Sequence, residues 1–302
     1  MHITDAIDRV AIVENTLGEG IIWHAETNSI YWLDVHPTAE IFSMDISSGS
    51  IRSRRLQSDL FCLRRCCDDR LVGLSKFGLA WIDVAELAIV REHSILDTDS
   101  RYRFNDANCD SAGRLWTGTM IDNFQTVDGH PQEIEFSGNI YCITSAGSFD
   151  IQDRGFGCPN TFAWSPDEKT MYCADSCTGW IYAYDFDIAS GSIGRRREFF
   201  SDEAFGIPDG SAMDTDGCLW NARWDGGAVL RVTPDGHIDR VVELPVSKVT
   251  DCSFGGPDLC TLFVTTAAFG MSDSERKTEP MAGDVFTIST DVRGVEKGLF
   301  AG

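Results

Sequence analysis

The sequence predicts an all-β fold, a six-bladed β-propeller, and three observations support this prediction. Helical periodicity is scarce, since short apolar runs and Gly/Asp turns follow one another along the 302 residues. One pattern, an apolar pair, a polar turn and then an apolar strand, recurs six times. The copies begin roughly 40 to 55 residues apart, which is the spacing expected of propeller blades built from several short strands.

The six copies share the turn and the strand after it, and a further strand follows each one, often through a glycine turn. The clearest copies are "IIWHAETNSIYWLD" from Ile21, "ANCDSAGRLWTGT" from Ala107, "FAWSPDEKTMYCAD" from Phe162 and "SAMDTDGCLWNAR" from Ser211. Weaker copies begin at Leu63 and Cys252. A β-sandwich is the alternative architecture, but it does not explain six similar segments.

No linker rich in proline or serine interrupts the chain, so we expect residues 1–302 to form a single propeller domain. The N-terminal segment at residues 9–15 is expected to pair into the last blade and close the ring, which removes an open sheet edge. The longest irregular stretch, residues 121–138, is expected to form a loop over one face.

Composition narrows the classes of protein that fit. The net charge of −22 at pH 7 argues against binding nucleic acid or an anionic membrane, because both require a basic surface. The chain has 11 cysteines, no signal-peptide pattern and no run of about 18 apolar residues. We therefore expect a cytoplasmic protein with reduced thiols and no membrane span. Cys173 and Cys177 lack the second cysteine pair of a zinc site.

One polar position is shared by the four clearest copies. When they are aligned on the first residue of the turn, the residue five positions earlier is Glu19, Asn105, Asn160 or Asp209. The first strand of each blade lines the central channel, so equivalent positions converge on its axis. A local backbone cap explains any one of these residues, but four in phase favour a shared site. The two weaker copies place Phe61 and Thr250 there, so the ring is not uniformly polar.

Carboxylate and amide oxygens are hard ligands that suit Ca²⁺, Mg²⁺ or Mn²⁺. A metal with open positions polarises a carbonyl and lowers the pKa of bound water, and a neighbouring carboxylate can act as general base. Arg103 lies two residues before Asn105, so both side chains point the same way on an extended strand. This pair suits a polyhydroxy or anionic ligand, although a surface ion pair is an equal alternative for Arg103.

The same segments resemble the SMP-30/gluconolactonase/luciferin-regenerating-enzyme family. The resemblance is carried, in family order, by "LGEG", "RFNDANCDSAGRLWTGTM", "PNTFAWSPDEKTMYCAD", "GIPDGSAMDTDGCLW" and "LPVSKVTDCSFGGPDL". It runs from about Leu17 to the terminal "LFAG". It implies a six-bladed propeller and hydrolysis of sugar lactones to aldonic acids, dependent on one divalent metal ion. Ca²⁺ is the first choice, and Zn²⁺, Mn²⁺, Mg²⁺ and Fe²⁺ are alternatives.

The resemblance also implies site residues. The metal ligands fall on Glu19, Asn160 and Asp209, and Asp209 is also the expected catalytic base. The residues that contact substrate fall on Arg103 and Asn105.

Two positions depart from the family pattern, and one further position matches near the site. Thr161 replaces the usual glycine after Asn160, and a β-branched residue adopts positive φ with difficulty, so we expect a shifted backbone or a narrower pocket. Where some relatives have a substrate-contacting glutamate this chain reads "IDNF", so Asp122 or Asn123 is expected to take its place. Asp175 is a further candidate near the site.

Two other functions fit the sequence. One is hydrolysis of an aryl ester or phosphotriester on the same propeller, and the other is calcium binding without catalysis. Arg103 and Asn105 favour a hydrophilic substrate and catalysis, since a metal-binding protein needs neither. The sequence leaves open which lactone is opened, which metal is used and the oligomeric state.

Overall fold

The structure is a computed structural model that describes residues 6–97, 101–124, 126–127, 130–131, 135–145 and 147–302. The expected loop at residues 121–138 therefore lies partly outside the described residues. The described chain forms six antiparallel sheets arranged as the blades of a β-propeller, which confirms the predicted fold.

The strands are numbered along the chain, and β1 (Ile7–Ala11) belongs to the last blade. Blade 1 contains β2 (Gly18–His24), β3 (Ser29–Asp34), β4 (Glu40–Asp45) and β5 (Ile51–Arg55). Blade 2 contains β6 (Leu60–Arg65), β7 (Leu71–Ser75), β8 (Gly78–Asp83) and β9 (Ala88–Ser94). Blade 3 contains β10 (Tyr102–Cys109), β11 (Leu115–Ile121), β14 (Gly138–Ile143) and β15 (Phe149–Phe156), with a short inserted hairpin of β12 (Thr126–Val127) and β13 (His130–Pro131).

The second half of the chain forms the other three blades. Blade 4 contains β16 (Pro159–Trp164), β17 (Thr170–Asp175) and β18 (Trp180–Asp187), and β18 pairs with both β19 (Ser192–Ile193) and β20 (Arg197–Phe200). Blade 5 contains β21 (Ile207–Met213), β22 (Leu219–Trp224), β23 (Ala228–Val232) and β24 (Ile238–Glu243). Blade 6 contains β25 (Val249–Gly255), β26 (Thr261–Thr266), β27 (Val285–Ser289) and β1. A 3-10 turn (Glu203–Phe205) and the helix α1 (Asp273–Thr278) lie between strands.

The core lies between blades rather than at one centre. Six clusters of buried apolar side chains each join two neighbouring blades. Trp32, Trp116 and Trp220, each fully buried, fill three of these interfaces. Burial of these apolar faces drives the blades together. The first strand of each blade therefore lies next to the central axis. These strands contact one another in the order β2, β6, β10, β16, β21, β25 and back to β2.

The first and the last strand of the chain pair in blade 6. Strand β1 pairs antiparallel with β27, and Ile7 lies opposite Ile288. The carboxylate of Asp284 then accepts hydrogen bonds from the N–H groups of Val13 and Glu14 at 2.9 and 3.1 Å. The pairing strand thus begins two residues before the segment expected from the sequence. Among the described residues, no helix is long and apolar enough to cross a membrane.

Every innermost strand shifts its register against the second strand of its blade near the start of the pairing. Such a bulge bends the strand locally and re-aims the side chains beside it. The shifts fall at or beside the aligned ring positions, which are Glu19, Phe61, Asn105, Asn160, Asp209 and Thr250. The bulges therefore change the direction of the side chains at and beside the ring positions.

Candidate functional site

The polar ring residues meet at the end of the channel where the first strands begin. One cavity there is lined by Glu19, Asn105 and Asn160 together with Arg103. The carboxylate of Asp209 lies close enough to that of Glu19 for the two charges to repel each other. The structure thus brings residues of blades 1, 3, 4 and 5 to one place, as the alignment of the repeats predicts.

A chain of hydrogen bonds runs around this end of the channel. Arg103 Nη1 donates to Asn105 Oδ1 at 2.7 Å, and Asn105 Nδ2 donates to Asn160 Oδ1 at 2.9 Å. Asn160 Nδ2 donates to Ser176 Oγ at 2.8 Å, and Ser176 Oγ donates to the carbonyl oxygen of Pro208 at 2.7 Å. Both amide groups are therefore fixed in orientation, with the oxygen of Asn160 turned away from Ser176.

Arg103 is buried, with 4 % of its surface exposed. Its guanidinium lies 4.7 Å from the ring centres of both Phe61 and Phe124, and Nη2 donates to Asn123 Oδ1 at 3.0 Å. It forms no ion pair within the described part of the chain, so the surface ion pair considered from the sequence is wrong. Burial lowers the pKa of Arg103, but a guanidinium stays charged at neutral pH.

An aromatic cluster extends the apolar wall behind Arg103. Phe124 stacks on Phe61 with ring centres 6.2 Å apart and on His36 at 5.0 Å, and it meets the edge of Phe269 at 5.7 Å. These residues come from blades 1, 2, 3 and 6. The space beside Arg103 therefore has an aromatic wall on one side and polar side chains on the other.

The two candidates after β11 have different surroundings. Asn123 is exposed and contacts Arg103 directly. Asp122 is buried and its Oδ2 pairs with Lys76 Nζ at 2.8 Å, while its Oδ1 accepts a hydrogen bond from the N–H of Phe124 at 3.2 Å. Asp122 thus fastens the loop to blade 2 and holds Asn123 and Phe124 beside the pocket.

The two carboxylates of the ring are destabilised in their charged forms. Burial raises the pKa of Glu19 well above its ordinary value, and the charges of Asp209, Asp251 and Asp106 raise it further. Burial likewise raises the pKa of Asp209, with further contributions from neighbouring groups that include Asp251 and Asp106. Neither Glu19 nor Asp209 forms an ion pair with any described residue, so no direct contact with a cationic side chain offsets the repulsion between their charged forms.

This charge pattern fits a hard divalent cation. A cation between Glu19 and Asp209 would remove their repulsion, and carboxylate and amide oxygens are the ligands that Ca²⁺ and Mg²⁺ prefer. The described residues hold no group of three His, Cys, Asp or Glu side chains arranged as metal ligands. The ligand set expected from the family resemblance is the carboxylates of Glu19 and Asp209 and the amide oxygen of Asn160.

Sequence reasoning missed two carboxylates near Glu19, which are Asp106, in the lining of the same cavity, and Asp251. Arg64 Nη2 donates to Asp106 Oδ1 at 2.7 Å, whereas Asp251 Oδ2 is buried without a hydrogen-bond partner among the described residues. Burial raises the pKa of Asp251 to about 6, and nearby Lys297 and Arg64 oppose that shift. Asp106 and Asp251 each directly follow a ring position, at the register shifts of β10 and β25, and the alignment of the repeats carries no signal of these shifts.

The expectation of a shifted backbone at Thr161 was wrong. Its φ is 53°, close to the 63° of Gly20 at the equivalent position after Glu19. The hydroxyl offsets the cost of this conformation, since Oγ1 donates to the carbonyl oxygen of Asp209 at 2.5 Å and lies 2.9 Å from Ser211 Oγ. The backbone after Asn160 thus keeps the left-handed conformation that a glycine would adopt.

Asp175 has a structural role beside the site. It is buried, its Oδ2 accepts the N–H of Gly157 at 2.9 Å, and its Oδ1 accepts the N–H groups of Cys158 and Cys177 at 2.9 and 3.1 Å. The neighbouring Cys177 raises the pKa of the Cys158 thiol, and Cys158 in turn lowers the pKa of the Cys177 thiol. Asp175 therefore fixes the backbone just before Asn160 rather than facing the pocket.

The fold and the site define a six-bladed propeller with an acidic, oxygen-lined pocket for a small molecule at one end of its channel. The chain belongs to the SMP-30/Gluconolactonase/LRE-like family, whose profile matches residues 17–268. This match confirms the family resemblance found in the sequence.

Two curated relatives and one solved structure illustrate the likeness. Regucalcin of Gallus gallus is 32% identical over 294 residues, which cover 95% of each chain. A 6-deoxy-6-sulfogluconolactonase of Pseudomonas putida is 30% identical over 299 residues, with coverage of 95% and 96%. The crystal structure of a calcium-binding protein, regucalcin, from Agrobacterium tumefaciens has a TM-score of 0.89 at 26% identity and covers 98% of this chain and 97% of its own.

Proposed function

We propose that the protein hydrolyses a sugar lactone to the corresponding aldonic acid with one divalent cation, Ca²⁺ being the first candidate. The observation that carries the proposal is the juxtaposition of two carboxylates that have no ion-pair partner among the described residues, the half-buried Glu19 and the buried Asp209, with the hydrogen-bonded pair Arg103 and Asn105. Membership of the family and the lactonase named among its relatives support the same reaction class.

Glu19, Asn160 and Asp209 would hold the cation. When bound, such an ion supplies a Lewis acid for the lactone carbonyl and lowers the pKa of a bound water. Asp209 is the general base and takes a proton from the attacking water. The hydrogen bond from Asn105 and the contact with Ser176 hold Asn160 in its orientation.

Arg103 and Asn105 are assigned to the substrate. Asn123 is exposed, so its contact with Arg103 Nη2 can be exchanged for a hydroxyl or carbonyl oxygen of the lactone. The guanidinium is fixed in advance by two ring stacks and by Asn105, which lowers the entropic cost of binding. The rings of Phe61 and Phe124 would cover the apolar side of the sugar.

The test is acid release by metal-stripped protein on a panel of five- and six-carbon aldonolactones, with each divalent ion added back singly. Metal-dependent turnover that prefers one sugar supports the proposal and names the substrate. Aryl esters and phosphotriesters are assayed in parallel, and cation binding is measured by calorimetry. Turnover only of the esters, or cation binding without turnover of any substrate, would overturn the lactonase assignment.

A further inference from the structure

Two cysteines lie side by side at the edge of the candidate site. Cys158 directly precedes β16 and Cys177 follows β17 by two residues. The N–H of Ser176 donates to the carbonyl oxygen of Cys158 at 2.9 Å, so Ser176 lies opposite Cys158. Cys177 is the next residue along the chain. The two thiols are also close enough to shift each other's pKa. A Cβ on Gly157 would lie 2.9 Å from Cys177 Sγ, so this glycine makes room for the sulfur.

The backbones of both cysteines are held by the same atom. Oδ1 of the buried Asp175 accepts the N–H of Cys158 at 2.9 Å and the N–H of Cys177 at 3.1 Å. A disulfide needs two backbones in a narrow range of separation and orientation. This shared carboxylate oxygen holds both backbone segments in place, so a bond between the sulfur atoms requires movement mainly of the side chains.

Cys158 also faces the candidate site. Its sulfur lies 3.6 Å from Nδ2 of Asn105 and 3.8 Å from Nδ2 of Asn160. It also lies 3.6 Å from the sulfur of Met120. The S–S bond is only about 2.05 Å long, so closure onto Cys177 would draw this sulfur away from both amides.

Cys158 and Cys177 are more accessible to solvent than most other cysteines of the chain. All 11 cysteines are free, and seven of them are buried. Cys158 and Cys177 are half-buried, as is Cys260, and Cys67 is exposed. A small oxidant can reach the pair, and among the described residues these are the two partly accessible thiols whose main chains are held by one carboxylate oxygen.

We propose that Cys158 and Cys177 are a site of reversible oxidation, which hydrogen peroxide closes to a disulfide that withdraws Cys158 from Asn105 and Asn160. The sulfur of Cys177 attacks peroxide, the O–O bond breaks, and a sulfenic acid and one water form. The sulfur of Cys158 then attacks the sulfenic sulfur, the S–S bond forms and a second water leaves. The two thiols lose two electrons and two protons, and one peroxide becomes two waters.

Closure slows the reaction assigned to the site, and this part of the inference rests on the proposed function. A displacement of about 1 Å in a group that positions a substrate can cost on the order of a hundredfold in rate. We expect kcat/KM to fall about tenfold or more on closure and to recover fully with dithiothreitol.

The experiment uses the full chain, reduced and then treated with peroxide. Peptide mapping without reductant is expected to show Cys158 linked to Cys177 in the wild type and in the control Cys260→Ser, and no such link in Cys177→Ser. Cys177→Ser should also keep its activity under peroxide. Cys177→Ala is made in case the serine variant does not fold.

Each outcome decides a separate point. Absence of the linked peptides in the wild type would overturn the site, whether or not any lactone is hydrolysed. Equal loss of activity in the wild type and in Cys177→Ser would overturn the link between closure and rate, and so would a linked protein of unchanged activity. Linked peptides in a protein that hydrolyses no lactone would refute the proposed function and leave the oxidation site standing.

Discussion

The hydroxyl of Thr161 donates a hydrogen bond to the main-chain carbonyl of Asp209 at 2.5 Å and so joins the bulges of blades 4 and 5. Nδ2 of Asn221 donates to the same carbonyl at 3.1 Å, and Arg223 Nη1 holds the oxygen of Asn221 at 2.9 Å. Asn221 and Arg223 are fully buried. The backbone that carries the candidate base is therefore fixed by a buried polar network.

Replacement of Thr161 separates the hydrogen bond from the backbone strain. Thr161→Val keeps the β-branched shape at φ 53° and removes the hydroxyl, so we expect a loss of about 1–3 kcal/mol in the free energy of unfolding. Thr161→Gly loses the same bond but relieves a conformational cost of about 1–2 kcal/mol. Its loss should therefore be smaller, and Thr161→Ser should stay near the wild type. Urea denaturation measures all three, and equal losses in the valine and glycine variants would contradict this account.

Asp209→Asn keeps an oxygen ligand and removes the proposed base. We expect turnover to fall at least about a hundredfold, the usual size of a general-base contribution. The metal-free variant should be no less stable than the wild type, because the charge that repels Glu19 is gone. Asp235→Asn, at an exposed turn, is the control. Near-normal turnover of Asp209→Asn would show that Asp209 is not the general base.

Arg103→Lys tests the guanidinium as a planar group. Lysine keeps the charge but cannot bond Asn105 and Asn123 from one plane, and it loses the stacking on Phe61 and Phe124. A charge-assisted hydrogen bond contributes about 1.5–3 kcal/mol, so we expect kcat/KM on the preferred lactone to fall roughly tenfold to a hundredfold.

Arg101→Lys is the matched control for that variant, because Arg101 lies two residues away, is exposed and pairs with Glu135. Its kinetics should match the wild type. Equal kinetics of the two lysine variants would show that the geometry of Arg103 has no part in the reaction.

Glu19→Gln tests the cation site through stability. Binding to the folded state alone raises the free energy of unfolding by about 2.7 kcal/mol at a cation concentration a hundred times Kd. The variant loses one of two charges that face each other, so at the same concentration its gain should be much smaller. Without cation it should be at least as stable as the wild type. Thermal unfolding with and without Ca²⁺ measures both effects, and an undiminished gain in the variant would place the cation elsewhere.

The repeats carry most of the information that the sequence holds about the fold. Six similar segments predict six blades, and alignment on their turns identifies equivalent residues such as Glu19 and Asp209. Equivalence is enough to predict that these side chains meet, because a ring brings equal positions of each first strand to one axis.

Local backbone geometry is not visible in such an alignment. The bulges depend on pairing between strands, so the inward turn of Asp106 and Asp251 could not be predicted from alternation alone. The conformation of Thr161 depends on acceptors in the next blade. Two neighbours of Cys158 are distant in the sequence: Asn105 lies 53 residues before it and Cys177 lies 19 residues after it. No repeat relates these positions.

Asp251 makes the metal-free protein sensitive to pH in a defined direction. It is 1 % exposed, its Oδ1 accepts the N–H of Cys252 at 2.7 Å, and burial raises its pKa to about 6. Below about pH 4 this carboxyl is protonated in both the folded and the unfolded chain. As the pH rises from about 4 to 6, the unfolded chain releases the proton while the folded chain retains it. The folded state therefore loses stability through this window, and the loss persists above it.

Asp251→Asn removes this titration and keeps the oxygen that accepts the N–H of Cys252. The free energy of unfolding of the variant, relative to the wild type, should therefore rise with pH by up to about 3 kcal/mol between pH 4 and pH 7. Urea denaturation in the presence of a chelator gives both curves. The comparison with the variant cancels the opposite trend of exposed carboxyls, such as that of Asp68, whose pKa is lowered by its hydrogen bonds with Arg70. Parallel curves would mean that Asp251 is ionised in the folded protein across this range, held by the positive charges of Arg64 and Lys297.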